Sequence, residues 1–423
     1  MKYQYSRSDN NKMDIWGVFF YILLVVIGFI NIFSVTSDVN QTSLVLSDIA
    51  YKQLFFIGGA IVIILTLSFA NVVLIDYLSY YVYAFVILLN IAVLFIGKEV
   101  GGAKSWFGFG GFGIQPSEFL KLATSMALAK FLGGYGMRFS GWKNVTYSIG
   151  IFLFPVILIL LQNDTGSALV YFSFFLVLYR EGMPGYIIIL AFWMGLLAIL
   201  SIVFQGLEIS SYYLVGTILG VGSIAVYFAR KSRQWVVLIT FIAVSSAVFS
   251  TIVGIVYDKV FQWYQKDRIE IVLGLKEDKQ GMGYNLDQSK VAIGAGRFIG
   301  RGFQNGTQTK MGFVPEQHTD FIFCTIGEEW GFVGVIVFFS AFLGLLIRLI
   351  QLSERQSDAY GRILGYSVCC ILFFHWFVNI GMTIGLIPVI GIPLPFVSAG
   401  GSSLWGFTLL LFTFLRYDQV RRN

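Results

Sequence analysis

Residues 15–35 read IWGVFFYILLVVIGFINIFSV, a run in which no side chain is charged. A helix rises about 1.5 Å per residue and the hydrocarbon layer of a bilayer is about 30 Å thick, so roughly 20 apolar residues are needed to cross it. This run is long enough. It also exceeds the apolar core of a secretory signal peptide, although a polar segment with Lys2, Arg7 and Lys12 precedes it, and it is expected to be an uncleaved first membrane helix. Comparable runs follow near 53–70, 77–97, 117–133, 146–162, 166–180, 185–205, 211–229, 235–257, 318–349, 362–386 and 402–416. The expected fold class is therefore all-α and integral to the membrane. It is a polytopic bundle of about 10–12 transmembrane helices, forming one domain over residues 1–423.

Composition excludes the alternatives. Of the 423 residues 57% are hydrophobic and 12% charged, about half the charged fraction of a soluble domain. The 22 Tyr and 9 Trp suit the interfacial belts where an amphipathic ring meets lipid headgroups. The net charge of +6 is scattered over short loops, which argues against nucleic acid as a partner and for a role in topology. Cys324, Cys369 and Cys370 all fall in apolar runs, without the spacing of a disulfide framework or a metal site.

The connections carrying Arg138 and Lys143, then Arg180, then Arg230, Lys231 and Arg233, then Arg355 and Arg362 fall on one side together with both termini. Positive residues in short loops mark the cytoplasmic face, so both termini are expected there. The other side receives a Gly-rich loop near 98–116, the turn around Asp164, a long loop at 258–317 and a Pro-rich segment near 387–401, four segments expected to converge outside. The long loop holds Asp258, Asp267, Arg268, Glu270, Glu277, Asp278 and Asp287, and loops of this length usually carry function. In the 185–257 region, Arg230, Lys231 and Arg233 divide two apolar runs that follow an earlier one, which predicts three spans.

Several motifs interrupt this pattern. In the first loop, Lys104 and Trp106 lead into Gln115-Pro116-Ser117-Glu118, where Ser117 is placed to cap a helix. Glu118 and Lys121 stand three apart on one helical face, either as a buried ion pair or as tuning groups for a site near the outer mouth. Trp106 is either a platform for a sugar ring or an interfacial anchor. Asp164, in Gln162-Asn163-Asp164-Thr165-Gly166-Ser167, reads as a helix cap or as part of a polar cavity. The glycines between Gly294 and Gly302 lack a nucleotide fingerprint and predict tight loop packing. His318 and Asp320, in Pro315-Glu316-Gln317-His318-Thr319-Asp320, suit a metal, a helix cap or an interfacial hydrogen-bond network, and the helix they open contains Glu328 and Glu329. Finally, the prolines and glycines from Pro388 through Ser398 to Ser403 preclude a continuous helix. Backbone of that kind at membrane depth must lie against protein or line a wet cavity.

Taken together, these segments resemble the SEDS family of integral-membrane peptidoglycan glycosyltransferases, its RodA branch more than its FtsW branch. The resemblance covers nearly the whole chain. It is carried by Pro315 to Phe323, the Glu328-Glu329 pair, and Gly391-Ile392-Pro393-Leu394-Pro395-Phe396 with Gly400-Gly401-Ser402-Ser403. Departures are Ala399 where the family commonly has Tyr, Asn163 where Pro is common and Ile390 where Thr is usual. The family is described with ten spans, so the surplus expected here is an extra helical hairpin within 185–257.

What the resemblance implies is a polymerase of lipid II, working on the outer face of the cytoplasmic membrane in cell elongation and rod-shape maintenance. Its other substrate is the lipid-linked growing glycan strand. Asp278 falls where the family has its essential acid and would be the general base for the acceptor sugar's 4-hydroxyl. Charge on the departing pyrophosphate would be met by Arg268, Lys104, Lys121 or a divalent cation such as Mg²⁺. No cofactor is otherwise called for. Glu118, Asp164, His318, Asp320 and Ser398 complete the expected substrate-binding set with Trp106. Implied partners are a class B penicillin-binding transpeptidase, other elongation-complex proteins and membrane lipids. Two alternatives stay open: a lipid II flippase or transporter, which needs a polar path through the bilayer, and a non-catalytic scaffold for the transpeptidase.

Overall fold

The computed structural model describes residues 13–37, 46–109, 112–134, 142–207, 209, 211–259, 266 and 282–420. Polar side chains start several of its helices. Asp14 accepts the Gly17 amide at 2.8 Å and opens α1 (Ile15–Thr36). Ser47 opens α2 (Asp48–Ser68) in the same way, and Asn71 opens α3 (Val72–Ile96). Each oxygen satisfies a backbone N–H that a helix start leaves unpaired.

The stretch after α3, expected as a Gly-rich loop, is a three-stranded antiparallel sheet of β1 (Lys98–Val100), β2 (Ala103–Phe109) and β3 (Phe112–Ile114). Its first turn forms because Gly101 and Gly102, at φ 59° and 83°, supply the two left-handed positions of a two-residue hairpin between Val100 and Ala103. There follow α4 (Pro116–Leu132), α5 (Trp142–Leu161), α6 (Thr165–Val170) and α7 (Phe174–Arg180), the last two joined by a 3₁₀ turn. The remaining helices are α8 (Gly185–Gly206), α9 (Ser211–Ala229), α10 (Arg233–Lys259), α11 (Met282–Ala295), α12 (Ile322–Glu354), α13 (Ala359–Thr383) and α14 (Gly401–Gln419).

Among the described residues nine helices are long and apolar enough to cross a membrane: α1, α2, α3, α5, α8, α9, α10, α12 and α13. The chain is an all-α, multi-pass membrane protein. Three further apolar runs form α4, the α6–α7 pair and α14, which are shorter or more polar. Burial explains two of them. α4 is buried along most of its length, and α14 packs on α2, α4 and α13. Such helices face protein, and need not be apolar all round.

Two compact units divide the chain. The smaller, residues 184–284 and 385–389, contains α8, α9 and α10, of which α8 and α9 are the least buried spans of the molecule. Between these three helices lies a cavity of 350 Å³ with almost wholly apolar walls, where Trp193 Nε1 donates to Ser246 Oγ at 3.0 Å.

The larger unit, residues 1–183, 285–384 and 390–423, has two chemically different ends. One is a layer of ion pairs: Arg348 with Asp14 at 2.6 Å, Arg362 with Glu181 at 2.9 Å, Arg180 with Glu354 at 2.7 Å, Lys130 with Asp76 at 2.8 Å, and Arg355 with Asp418. Asp14 and Asp418, near the two ends of the chain, both belong to this layer. The other end gathers the sheet, the turn before α6, the segment between α11 and α12, and the proline-interrupted segment before α14.

The Asp14 clasp gives a direct test. Burial alone would raise its carboxyl, but the Arg348 guanidinium and the Gly17 amide outweigh that and hold it below the usual carboxylate range. A lowered folded pKa contributes stability above the unfolded value of about 3.9, and that contribution is lost as pH falls through the folded value. Asn caps a helix about as well as Asp. Asp14→Asn is therefore expected to cost about 1–3 kcal/mol at pH 7, between an exposed and a fully buried pair. In thermal melts the gap to the parent should close only below about pH 4. A gap independent of pH would show that the ion pair is not its source.

Candidate active site

The polar end of the larger unit is built around the start of α4. Pro116 occupies its first turn, where a missing N–H costs nothing. The N-cap residue is Gln115 without a side-chain cap bond, so Ser117 does not cap the helix as the sequence suggested. One turn on, Glu118 and Lys121 face one another, 3% and 2% exposed. The Lys121 ammonium donates to Glu118 Oε1 at 2.9 Å and to Oε2 at 2.8 Å, and its third contact is His375 Nε2 of α13 at 3.0 Å. It also lies 4.7 Å from the Phe407 ring centre. An ammonium has three N–H groups, and all three are engaged inside the protein. Gly406 admits this approach, since a Cβ there would stand 3.1 Å from that of Glu118.

Asp164 joins two elements. Its Oδ1 caps α6 through the Ser167 amide at 3.0 Å, while Oδ2 accepts from Gln115 Nε2 at 2.7 Å. The preceding Asn163 takes a left-handed φ of 61°. Beside this turn, the Lys104 amide donates to Gln162 O at 2.9 Å and the half-buried Lys104 ammonium to Phe95 O at 3.2 Å. Trp106, two residues along β2 and across a register shift in its pairing with β1, is half-buried and covers Gly113 of β3.

Backbone pairing holds the segment before α12 against the one before α14. The Ala399 amide donates to His318 O at 2.9 Å. Ser398 Oγ donates to Thr319 O at 2.6 Å and accepts from the Leu394 amide at 2.8 Å. Asn379 of α13 donates to Asp320 O at 2.8 Å and to Ile392 O at 2.7 Å. His318 and Asp320 are half-buried here, and neither caps α12, whose N-cap residue is Phe321 with no side-chain bond. Among the described residues no three His, Cys, Asp or Glu side chains form a metal-binding group.

A few residues further, α12 breaks at Gly331, which has a φ of 63°. The Gly-rich stretch fills the break. The Arg301 and Gly302 amides donate to the carbonyls of Glu328 and Glu329, and Phe332 donates back to Arg297 O. Gly296 must be glycine for this, because a Cβ would lie 1.9 Å from Gly327 O. The buried Glu328 carboxylate organises the loop that follows the Gly-rich stretch, accepting from the amides of Thr307, Gln308 and Thr309 and from the hydroxyls of Thr307 and Thr309. Glu329 accepts from Ser34 of α1.

Asp278, Arg268 and Glu277 lie outside the described residues. Two residues of the cluster were not anticipated from sequence, His375 and Asn379. Both sit inside an apolar run, and their signal is their spacing of four, which puts two polar groups on one helical face.

The family model described as cell cycle protein, covering FtsW, RodA and SpoVE, matches residues 15–213 and 211–422. The chain is 33% identical to the peptidoglycan glycosyltransferase RodA of Treponema pallidum, over 93% of this chain and 96% of that protein. It is 31% identical to the peptidoglycan glycosyltransferase MrdB of Escherichia coli, over 77% and 73%. A chain from a peptidoglycan synthase complex that coordinates polymerization and crosslinking superposes with a TM-score of 0.69 at 27% identity, covering 96% of this chain and 97% of that one. The crystal structure of Thermus thermophilus RodA shares the fold, with a TM-score of 0.61 at 24% identity over 97% and 98%. With two family matches that together run from residue 15 to residue 422, the chain belongs to the FtsW, RodA and SpoVE family of cell cycle proteins.

Proposed function

We propose that this protein is a peptidoglycan glycosyltransferase that polymerises lipid II on the outer face of the cytoplasmic membrane during cell elongation. The observation that carries this reading is the 33% identity with the Treponema pallidum RodA protein over almost the full length of both chains. The two unlike ends of the larger unit support it. The arginine-rich layer that holds Asp14 and Asp418 is the cytoplasmic one by the distribution of positive charge, so the gathered polar segments face outward, where the lipid-linked sugars stand.

In this reading Asp278 takes the proton from the acceptor's 4-hydroxyl as its oxygen attacks the donor's anomeric carbon. The bond from that carbon to the pyrophosphate breaks, and undecaprenyl pyrophosphate departs with the electron pair. Arg268 and Lys104 supply positive charge toward the leaving group. Lys121 does not, because its N–H groups are already engaged. Trp106, His318 and Asp320 border the sugar path, while Asp164 and Ser398 hold the segments that form it. The partner is a class B penicillin-binding transpeptidase, which crosslinks the strands.

Detergent-solubilised full-length protein, given purified lipid II with and without that transpeptidase, is expected to yield a ladder of glycan polymers and to release undecaprenyl pyrophosphate. No polymer in either arm, from monodisperse protein, would defeat this reading.

A further inference from the structure

The segment from Ile390 to Ser398 forms no helix, only a turn in which the Val397 and Ser398 amides donate to Leu394 O, so its other buried carbonyls need donors from elsewhere. Two successive carbonyls find them on α13. Ile392 O accepts from Asn379 Nδ2 at 2.7 Å, and Pro393 O is paired with His375 Nδ1 at 3.2 Å. His375 is 1% exposed, with its ring set edge-on to Phe407 at 4.7 Å between centres.

The partners fix the proton. A carbonyl only accepts, so the nitrogen facing Pro393 O must carry hydrogen. An ammonium only donates, so Nε2, at 3.0 Å from Lys121 Nζ, must be bare. An imidazolium would set N–H against N–H there. The ring is thus neutral in the Nδ1–H form, and a single hydrogen-bonded chain runs from Glu118 through Lys121 and His375 to Pro393 O. Beyond that carbonyl, Ser398 and Ala399 hold the backbone of Thr319 and His318.

We propose that His375 is a positioning residue for the glycosyl transfer. It ties the buried Glu118–Lys121 pair to the Pro393 carbonyl, and so sets where the 390–398 segment and the His318–Asp320 backbone stand at the polar end. The residue touches no reacting atom, and its effect is on alignment. This inference rests on the transferase reading above, and the chemistry it serves is sensitive to small misplacements, where about 1 Å costs up to a hundredfold in rate.

The test compares His375→Phe and His375→Gln in the full-length protein. Phenylalanine keeps the ring and its packing but neither hydrogen bond. Glutamine carries an acceptor and a donor spaced like the two ring nitrogens. With dansyl-labelled lipid II as the probe, His375→Phe is expected to lower the polymerisation rate at saturating substrate by about tenfold to a hundredfold, while Kd changes by less than about threefold. His375→Gln should recover most of the rate. Parental activity in His375→Phe would overturn the proposal, as would a glutamine variant no better than phenylalanine.

A second measurement reads the parent's own ring and so applies even where both His375 variants fail to fold. The chain has 2 His, so ¹⁵N-histidine NMR of the parent, with His318→Asn to assign the signals, reads the His375 ring directly. A neutral Nδ1–H ring that becomes altered in Lys121→Met is expected. A charged ring, or the Nε2–H form, would break the chain and overturn the proposal. A parent that makes no polymer defeats the transferase reading and the positioning role with it, yet the NMR result still stands on its own for the hydrogen-bond chain.

Discussion

Lys121→Met is expected to destabilise the protein by about 3–5 kcal/mol, the usual cost of leaving one member of a buried ion pair without its partner. Glu118 is 3% exposed and the lysine ammonium meets both of its oxygens. Methionine has nearly the shape of the lysine stem, so little packing is lost and the change isolates the charge. Thermal unfolding followed by size-exclusion chromatography measures it. The double variant Glu118→Gln with Lys121→Met removes both charges and should regain most of that stability, since replacing a buried pair by neutral groups is often close to neutral. Polymerisation by this double variant should nevertheless stay about tenfold or more below the parent, because nothing then donates to His375 Nε2. Parental activity in the stable double variant would show that the pair only holds the bundle. Reversing the two charges should not restore activity either. A glutamate at 121 would set an acceptor against the bare imidazole nitrogen.

Local patterns made much of this architecture readable. The apolar runs correspond to helices because each must satisfy its own backbone within lipid, and hydropathy reports that need directly. Asp14, Ser47, Asn71 and Asp164 act on amides two or three residues away, so their capping is also a local property. The three prolines after α13, with the glycines among them, preclude a continuous helix over that segment.

What stayed hidden depends on distant partners. The strands at 98–114 are short and glycine-rich, and only their mutual pairing distinguishes them from a loop. The break at Gly331 lies inside an apolar run that looks continuous, and it exists because residues 296–302 supply the missing hydrogen bonds. His375 looked like one polar residue in a hydrophobic helix until Lys121, 254 positions away, stood beside it. The same contact changes the reading of Lys121. From sequence it was a candidate to meet the pyrophosphate charge, whereas its three N–H groups are bound within the protein.

The largest expected effect falls on Asp278. Asp278→Asn should lower the polymerisation rate by roughly 10²–10⁴, the range general-base catalysis supplies. The amide matches the carboxylate in size and keeps much of its hydrogen bonding, but it cannot take the proton that the acceptor hydroxyl must lose. Expression, membrane insertion and association with the transpeptidase should survive, because the acid is proposed to act on substrate and not to hold the bundle. Glu277→Gln is the internal control. A neighbour that only adjusts the local potential should cost no more than about tenfold, the equivalent of one pKa unit on the base. Rates are measured with purified protein and lipid II, at saturating substrate, so that a loss of binding is not mistaken for a loss of chemistry. Near-parental polymerisation by Asp278→Asn together with an inactive Glu277→Gln moves the base one residue earlier. If both variants keep their activity, the proton is taken elsewhere. Asp164 and Glu118 are then poor substitutes, since both carboxylates already hold protein donors at hydrogen-bond distance. Asp320, half-buried at the polar end beside Gly391, is the next acid to substitute, chosen for its place in the Pro315 to Phe323 run.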